Sequence, residues 1–446
     1  MFDAARLNLT ERTSRGLADA VLAAIRTGDL REGDVLPPIR SLAGDLQVSP
    51  TTVSSAWSLL TRSGAIATDG RRGTRVATGT HRPSRYRRAL ESGNSFTLDL
   101  STGVPDPELL PDITPALQAL PGRARPTSYL DDPVLPGLTQ VLLSTWPSAI
   151  EAVTVVDGAM DAMQLIADTH LRFGDVVLVE DPTFPPILDI LDSIGAVAHG
   201  VAIDENGLLP GALAQSLTRF RPAMVILQPR GQNPTGASLT AERARELADT
   251  LGSHHALIVE DDATGDVASA AAVSLGDLLP DRVLHIRSFS KSFGPDLRLA
   301  AIGGPAALLN PIIDRRLFGQ GWTSRLLQSL LLTLLTDDAV AAQIASARCE
   351  YARRREALVD RLRQHGVEVH ARDGINLWLP VVDEAAAMVR LASRGIGVAS
   401  GTPFTVRADA TSAHVRVTTA SLADDHDRVA AELAAAAAVG NSAGFR

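Results

Sequence analysis

Beyond residue 96 the chain alternates short, mostly apolar, β-branched runs with longer helical stretches, and no other feature restricts the fold as much. Residues 176–179, 224–227, 257–259, 283–286 and 299–302 are strand-length runs of this kind, and helical stretches such as 241–251 lie between some of them. Strands that are apolar on both faces must be covered on both faces, which implies a layered α/β domain with a largely parallel sheet. The 446 residues suffice for two or three domains with a large core. No internal repeat is present, and the alanine-rich residues 430–439 read as the helix that closes the chain.

Residues 1–79 have a different pattern. From Ser14, Leu17, Val21 and Ile25 recur at four-residue steps, with Gly28 as a stop, and a short helix fits 39–46. A third helix opens with Ser49 as N-cap and Pro50 in the first position, buries Val53, Trp57 and Leu60, and ends at Gly64. Residues 66–76 read as a hairpin turning at Asp69-Gly70, with Arg71 and Arg72 at its tip. Residues 80–95, with Arg82, Arg85, Arg87, Arg88, Pro83 and Gly93, form a basic linker, which leaves 96–446 as the second folded unit.

Charge follows the same division. The net charge of -9 is the sum of +6 over residues 1–90 and -15 over the remainder. A basic head on an acidic body points to an anionic partner for the head alone. Of the 42 Lys+Arg residues 41 are arginine, and Lys291 is the one lysine. A genome favouring arginine explains the lysines that were lost but not the one retained. A salt-bridging lysine is easily replaced by arginine, whereas one that condenses with a carbonyl is not. The single cysteine, Cys349, permits no internal disulfide, and the N-terminus has no basic segment followed by an apolar stretch. The longest apolar run, near 326–335, falls short of the ~20 residues of a membrane helix. These features lead us to expect a cytoplasmic protein without a membrane partner.

Ser49, Thr51, Thr52, Ser54 and Ser55 lie on the exposed side of the third helix, with Arg40 before it and Arg71, Arg72, Thr74 and Arg75 on the wing. A helix of small hydroxyl residues can enter a major groove while arginines hold phosphates, although a solvated face of a small bundle has the same pattern. The ordered set Leu36-Pro37-Pro38-Ile39-Arg40, Leu42-Ala43, Val48-Ser49-Pro50-Thr51-Thr52-Val53, Gly64 and Arg72-Gly73-Thr74 resembles the winged helix of GntR-type regulators. It departs at Pro38, where that family usually has serine.

In the body, the candidate residues fall on loops after strands. Asp157-Gly158-Ala159-Met160 opens a helix whose free N–H groups suit a phosphate. Phe184 could stack on a flat ring or fill core, and Asn233-Pro234-Thr235-Gly236 is a turn that aims an amide at the strand ends. Val259-Glu260-Asp261-Asp262 ends a strand in three carboxylates, which can keep a pyridine nitrogen protonated. Metal ligation is the alternative, but no His or Cys adjoins the run to complete a site, and no metal site is expected. Ser288-Phe289-Ser290-Lys291 follows the next strand, with Arg298 seven residues on.

That order resembles the fold-type I aminotransferases that use pyridoxal 5'-phosphate, over about residues 98–420. The resemblance implies that Lys291 carries the cofactor as a Schiff base and that Asp261 pairs with the pyridine nitrogen, these two being the catalytic pair. It implies that Asn233 faces the phenolic oxygen and Phe184 stacks on the ring. Gly158, Ala159, Met160, Ser288, Ser290 and Arg298 would hold the phosphate, with Tyr129 reaching a neighbouring subunit's phosphate. Arg416 matches the arginine that takes a substrate carboxylate. The whole chain is similar to MocR-type regulators: an α+β winged helix-turn-helix, a linker and a fold-type I aminotransferase-like body. Gly103-Val104-Pro105-Asp106 and residues 351–355 also fit that family.

The resemblance implies a homodimer with each head lying on the other chain's body, reading double-stranded operator DNA and responding to pyridoxal phosphate or its adduct with an amino compound. Two further departures bear on catalysis: Ala263-Thr264 stands where a tyrosine usually follows the acidic pair, and residues 295–300 read Pro-Asp-Leu-Arg-Leu-Ala. The competing reading is a working aminotransferase that the head merely tethers. Arg230, beside the Asn233 turn, is either a second anion contact or a surface ion pair.

Overall fold

A computed structural model describes residues 7, 9, 11–27, 29–31, 33–62, 65–69, 73–76, 85, 96–120, 128, 131–406 and 413–440. Arg71, Arg72, Tyr129, the proposed stops Gly28 and Gly64, and all of the linker except Arg85 lie outside the described residues.

The head comprises α1 (Ser14–Thr27), α2 (Ile39–Leu46), α3 (Pro50–Arg62) and an antiparallel wing of β1 (Ile66–Asp69) and β2 (Gly73–Val76). Helix α3 begins as the sequence suggests: Ser49 Oγ accepts the Thr52 N–H at 3.0 Å, and Pro50 follows it. Pro38 occupies the N-cap of α2, which therefore starts without a side-chain cap. Leu17, Val21, Leu42, Val53, Ala56, Trp57 and Leu60 form one apolar cluster that the wing closes with Ile66 and Val76.

The body begins with β3 (Leu98–Asp99), α4 (Thr114–Gln118) and α5 (Pro136–Thr145). Alternation follows: β4 (Ala152–Val156), α6 (Ala159–His170), β5 (Val176–Asp181), α7 (Pro185–Ser193), β6 (Val197–Asp204), β7 (Gly207–Leu208), α8 (Pro210–Phe220), β8 (Met224–Leu227), α9 (Ala241–Leu251) and β9 (Leu257–Asp262). The main sheet is completed by β10 (Val283–Ser288) and, after the short α10 (Ser290–Phe293), β11 (Ala300–Gly304). Its order is β4-β11-β10-β9-β8-β5-β6-β7, and only β11 and β7 run against the rest. Val177, Val179, Ile226 and Val259 pack on one face and Leu178, Val225, Leu227 and Ile258 on the other, so alternate residues are buried on both faces.

Helices α11 (Ala306–Arg316), α12 (Arg325–Leu335) and the long α13 (Asp338–Gln364) lead to a smaller lobe. There β12 (Asn376–Val381), α14 (Glu384–Ser393), β13 (Ile396–Gly397), β14 (Ala399–Ser400), β15 (Ala413–Thr418) and α15 (His426–Ala437) enclose a separate apolar core. The closing helix starts four residues earlier than its alanine content marks. Among the described residues no single helix is long and apolar enough to cross a membrane.

In this single chain the head rests on its own body. Arg15 of α1 pairs with Asp175 at 3.2 Å, and Phe173 packs against the head's apolar cluster. Arg85 reaches Asp189 at 3.1 Å and Asp192 at 2.6 Å on α7.

Leu17 is fully buried in the head cluster. Leu17→Ala is expected to cost the head about 2–5 kcal/mol while leaving the body's core intact. Thermal unfolding followed by amide exchange should show an early transition confined to the head.

Candidate functional site

The candidate body residues converge because most sheet strands point one way, which puts the loops after β4, β5, β8, β9 and β10 at one edge. Antiparallel β11 starts at that edge and brings Arg298, just before it, to the same place. Gly158 caps α6 with φ 105°, and a Cβ there would lie 3.6 Å from an Arg298 guanidinium nitrogen. Ala159 and Met160 therefore present the first N–H groups of a 12-residue helix beside a guanidinium. Arg298 is exposed, adopts the left-handed region at φ 50°, and is bonded to no other described residue. Such strain in an arginine persists where a site requires it. Ser288 is buried, and its hydroxyl receives the Ser290 N–H at 3.4 Å.

The three carboxylates at the end of β9 differ sharply. Asp261 Oδ2 accepts from Gln228 Nε2 at 2.8 Å, while its Oδ1 is buried without a protein partner. Burial outweighs that bond and pushes the carboxyl up to about 6. Gln228 also accepts the Asn233 N–H at 2.7 Å, so a single side chain fixes both the acid and the amide turn. Glu180 lies beneath, accepting from Gln228 N and Gln232 Nε2 at 3.2 Å each, and burial pushes it up to about 8. Asp262 is gripped by Arg230 through contacts of 2.7–3.1 Å, and although burial opposes its charge, His285 and Arg230 hold it well below the usual carboxylate range. Arg230 is therefore neither an anion contact nor a surface pair: it is mostly buried against Asp262.

His285 stands opposite Glu260 on the neighbouring strand, 3.2 Å from its carboxylate and 3.8 Å from Asp262. Despite burial, the two carboxylates push it up to about 9. No histidine adjoins the acidic run in the sequence, but sheet pairing supplies one. The paired charges make this cluster an internal ion network. Thr264, after the acidic pair, is buried and donates to the Gly231 carbonyl at 3.2 Å.

Lys291 follows β10 in α10 and donates from Nζ to the Gly103 carbonyl. Burial, then the charge of Arg416, bring its pKa down to about 8. Arg416 reaches across from β15 fully buried, bonded to the Ser101 carbonyl and 3.4 Å from Asn233 Oδ1, with its guanidinium 5.1 Å over the Phe404 ring. Gly103 has φ 65°, and a Cβ there would lie 3.2 Å from Arg416 Nη1. Phe184 sits half-buried at the start of α7. Gln228, Glu180 and His285 are the residues that sequence reasoning missed, and the Gly103 loop, noted there as a family motif, was given no contact with Lys291 or Arg416. The run Gln228-Pro229-Arg230-Gly231-Gln232-Asn233 carried the only usable signal, polar side chains spaced around a turn.

On the head, Arg40, Ser49, Thr51 and Ser54 are exposed, and Thr52 and Thr74 are half-exposed. The Ser49 and Thr52 hydroxyls lie 2.8 Å apart, and Ser49 is also the helix cap, while Thr51, Ser54 and Ser55 are exposed along the same helix.

Residues 13–76 match the family model of bacterial regulatory proteins of the GntR family, and residues 97–433 match that of aminotransferase class I and II. The chain belongs to the MocR-type regulators. It is 35% identical to the vitamin B6 salvage pathway transcriptional repressor PtsJ of Salmonella typhimurium, covering 93% of this chain and 95% of that one. It is 28% identical to the HTH-type transcriptional regulator TauR of Rhodobacter capsulatus over 87% and 88% of the two chains. Identity to the pyridoxine biosynthesis transcriptional regulator PdxR of Corynebacterium glutamicum is 27%, over 80% of each. An archaeal alanine:glyoxylate aminotransferase shares the body's fold with a TM-score of 0.70 and 20% identity, covering 79% of this chain and 93% of that one. A MocR-type chain is a DNA-binding transcription regulator with an aminotransferase-like body.

The buried ionisable groups set a pH dependence. His285 is charged in the fold between its ordinary pKa of 6.5 and about 9, so its stabilisation is complete below pH 6.5 and lost as pH rises through 9. Glu180 stays neutral in the fold up to about pH 8 while the unfolded chain ionises above 4.5, and this works in the same direction. Between pH 6.5 and 8 each group should lower stability by up to about 1.4 kcal/mol per pH unit. Denaturant midpoints across that window should fall, and less steeply in His285→Gln.

Proposed function

We propose that this regulator takes pyridoxal 5'-phosphate, free or as its adduct with a small amino compound, at Lys291, and that occupancy alters how the head holds double-stranded operator DNA. The observation that carries this is one sheet edge bearing the chain's lone lysine, a buried carboxylate oxygen without a protein partner and an unpaired guanidinium at a helix N-terminus. Those groups match an amine-binding carbonyl, a ring nitrogen and a phosphate. Two relatives with vitamin B6 in their names or pathways support the same reading.

When bound, the cofactor supplies an electrophilic carbonyl and an electron sink. The chain's own residues do the rest. Lys291, brought down to about 8, is readily deprotonated for condensation. Asp261, steered by Gln228, holds a proton on the ring nitrogen, and Asn233 and Phe184 orient the ring. Ala159, Met160, Ser288, Ser290 and Arg298 hold the phosphate, with Gly158 leaving room for it, and Tyr129 adds a contact from a second subunit. Arg416 is placed to take the carboxylate of an amino compound. Thr264, turned to the backbone, offers no phenol to the site, which favours a sensor over a working aminotransferase.

On the DNA side, Thr51, Thr52 and Ser54 face the groove, while Arg40, Ser49, Arg71, Arg72 and Thr74 hold the backbone. The protein works as a cytoplasmic homodimer. Exchanged heads would occupy, on the partner body, the same seat that the head takes here on its own.

Lys291→Ala should abolish the visible absorbance that the wild type acquires with pyridoxal phosphate while leaving the head folded; an unchanged spectrum would overturn the cofactor assignment. Arg40→Ala should weaken binding to DNA from upstream of the protein's own gene and lower the salt slope by about 1. Unchanged affinity and slope in a salt titration would remove α2 from the interface.

A further inference from the structure

Two helices run from the cofactor edge of the sheet to the head. Helix α6 starts just after Gly158, beside Arg298, and has 12 residues, so it is about 18 Å long. Helix α7 starts just after Phe184, has nine residues and is about 13 Å long. Both pack against the same face of the sheet, through Met163 and Ile166 of α6 and Ile187, Leu188 and Leu191 of α7.

Their far ends are locked together. Phe173, just past α6, lies so close to Gly195, just past α7, that a Cβ on Gly195 would meet its ring at 2.2 Å, and Gly174 N–H bonds the Gly195 carbonyl at 2.9 Å. This corner is where the head sits. Phe173 packs against the head's apolar cluster, and Asp175 pairs with Arg15 at 3.2 Å. On the flank of α7, Asp189 and Asp192 share one side of the helix at i,i+3. Asp189 accepts the Arg85 backbone N–H at 2.8 Å and its guanidinium at 3.1 Å, and Asp192 takes the other guanidinium nitrogen at 2.6 Å.

We infer that the Phe173–Asp175 corner and the Asp189/Asp192 clamp on Arg85 form the regulatory seat of the head, coupled to the cofactor edge by α6 and α7. The inference deepens the proposed function and rests on it. A packed helix moves as a unit, so a ring against Phe184 and an anion at Ala159 and Met160 both act on elements that end at this seat. The clamp's carboxylates and guanidinium are 27–33% exposed, so it contributes little to folding and mainly fixes position.

The test uses full-length protein as wild type, Arg85→Gln and the double variant Asp189→Asn with Asp192→Asn. Operator affinity is measured with and without pyridoxal phosphate, alongside amide exchange over residues 14–27 and 173–195. Wild-type affinity should change about tenfold on loading, within the usual range of allosteric coupling, and less than about twofold in the variants, with the cofactor's visible absorbance unchanged. Variants that keep the wild-type ratio overturn the seat. If wild-type affinity ignores the cofactor but loading still changes exchange in 14–27, and the variants lose that change, the regulatory reading falls and the seat stands. If loading leaves exchange in 14–27 unchanged in the wild type, the seat itself is overturned.

Discussion

Three carboxylates close one buried strand, and the cofactor edge depends on how unevenly their charge is neutralised. Because side chains of a strand alternate, Glu260 and Asp262 project to one side and Asp261 to the other. The first side is filled with counter-charge: His285 stands between the two carboxylates, Arg230 grips Asp262, and Ser274 and the Leu275 N–H satisfy Glu260 at 2.6 Å each. The second side has only Gln228, a neutral donor, which positions Asp261 without cancelling its charge. Buried carboxylates without partners are costly, and this arrangement leaves one acceptor oxygen in need of a proton-bearing partner.

Gln228 links this electrostatic arrangement to the shape of the pocket. It bonds Asp261, Asn233 and Glu180 at once, and Asn233 in turn meets Arg416 from the smaller lobe. Asp261, the Asn233 turn and Arg416 therefore form one hydrogen-bonded unit across two lobes. Thr264 belongs to the same packed region: it donates to the carbonyl of left-handed Gly231 and lies so close that a Cβ on that glycine would collide with its hydroxyl.

Much of the architecture was legible in the sequence because it rests on local rules. Residues 224–227 and 241–251 form the expected strand and helix, and Ser49-Pro50 starts α3 as capping chemistry requires. The convergence of the candidate residues has a similar cause: most of them lie on loops after β4, β5, β8, β9 and β10, and parallel strands gather such loops at one edge. What escaped was everything set by lateral pairing. His285 reads as one polar residue in an apolar run until β10 places it opposite Glu260, and Arg230 reads as an anion contact or a surface ion pair until β8 and β9 bring it to Asp262. The seat of the head was hidden too, since Arg85 and Asp189 are 104 residues apart and neither belongs to a motif.

The lone lysine also gives the chain an unusual chemical simplicity. Lys291 is its single side-chain amine, is only partly exposed, and loses its proton near pH 8, where surface amines elsewhere in a protein mixture remain charged. Aldehydes and acylating reagents seek uncharged amines, so apart from the α-amino group they meet one amine per chain, held against the Gly103 carbonyl. The added mass on the peptide containing Lys291 then counts occupied sites directly, without isotopic labels or engineered handles.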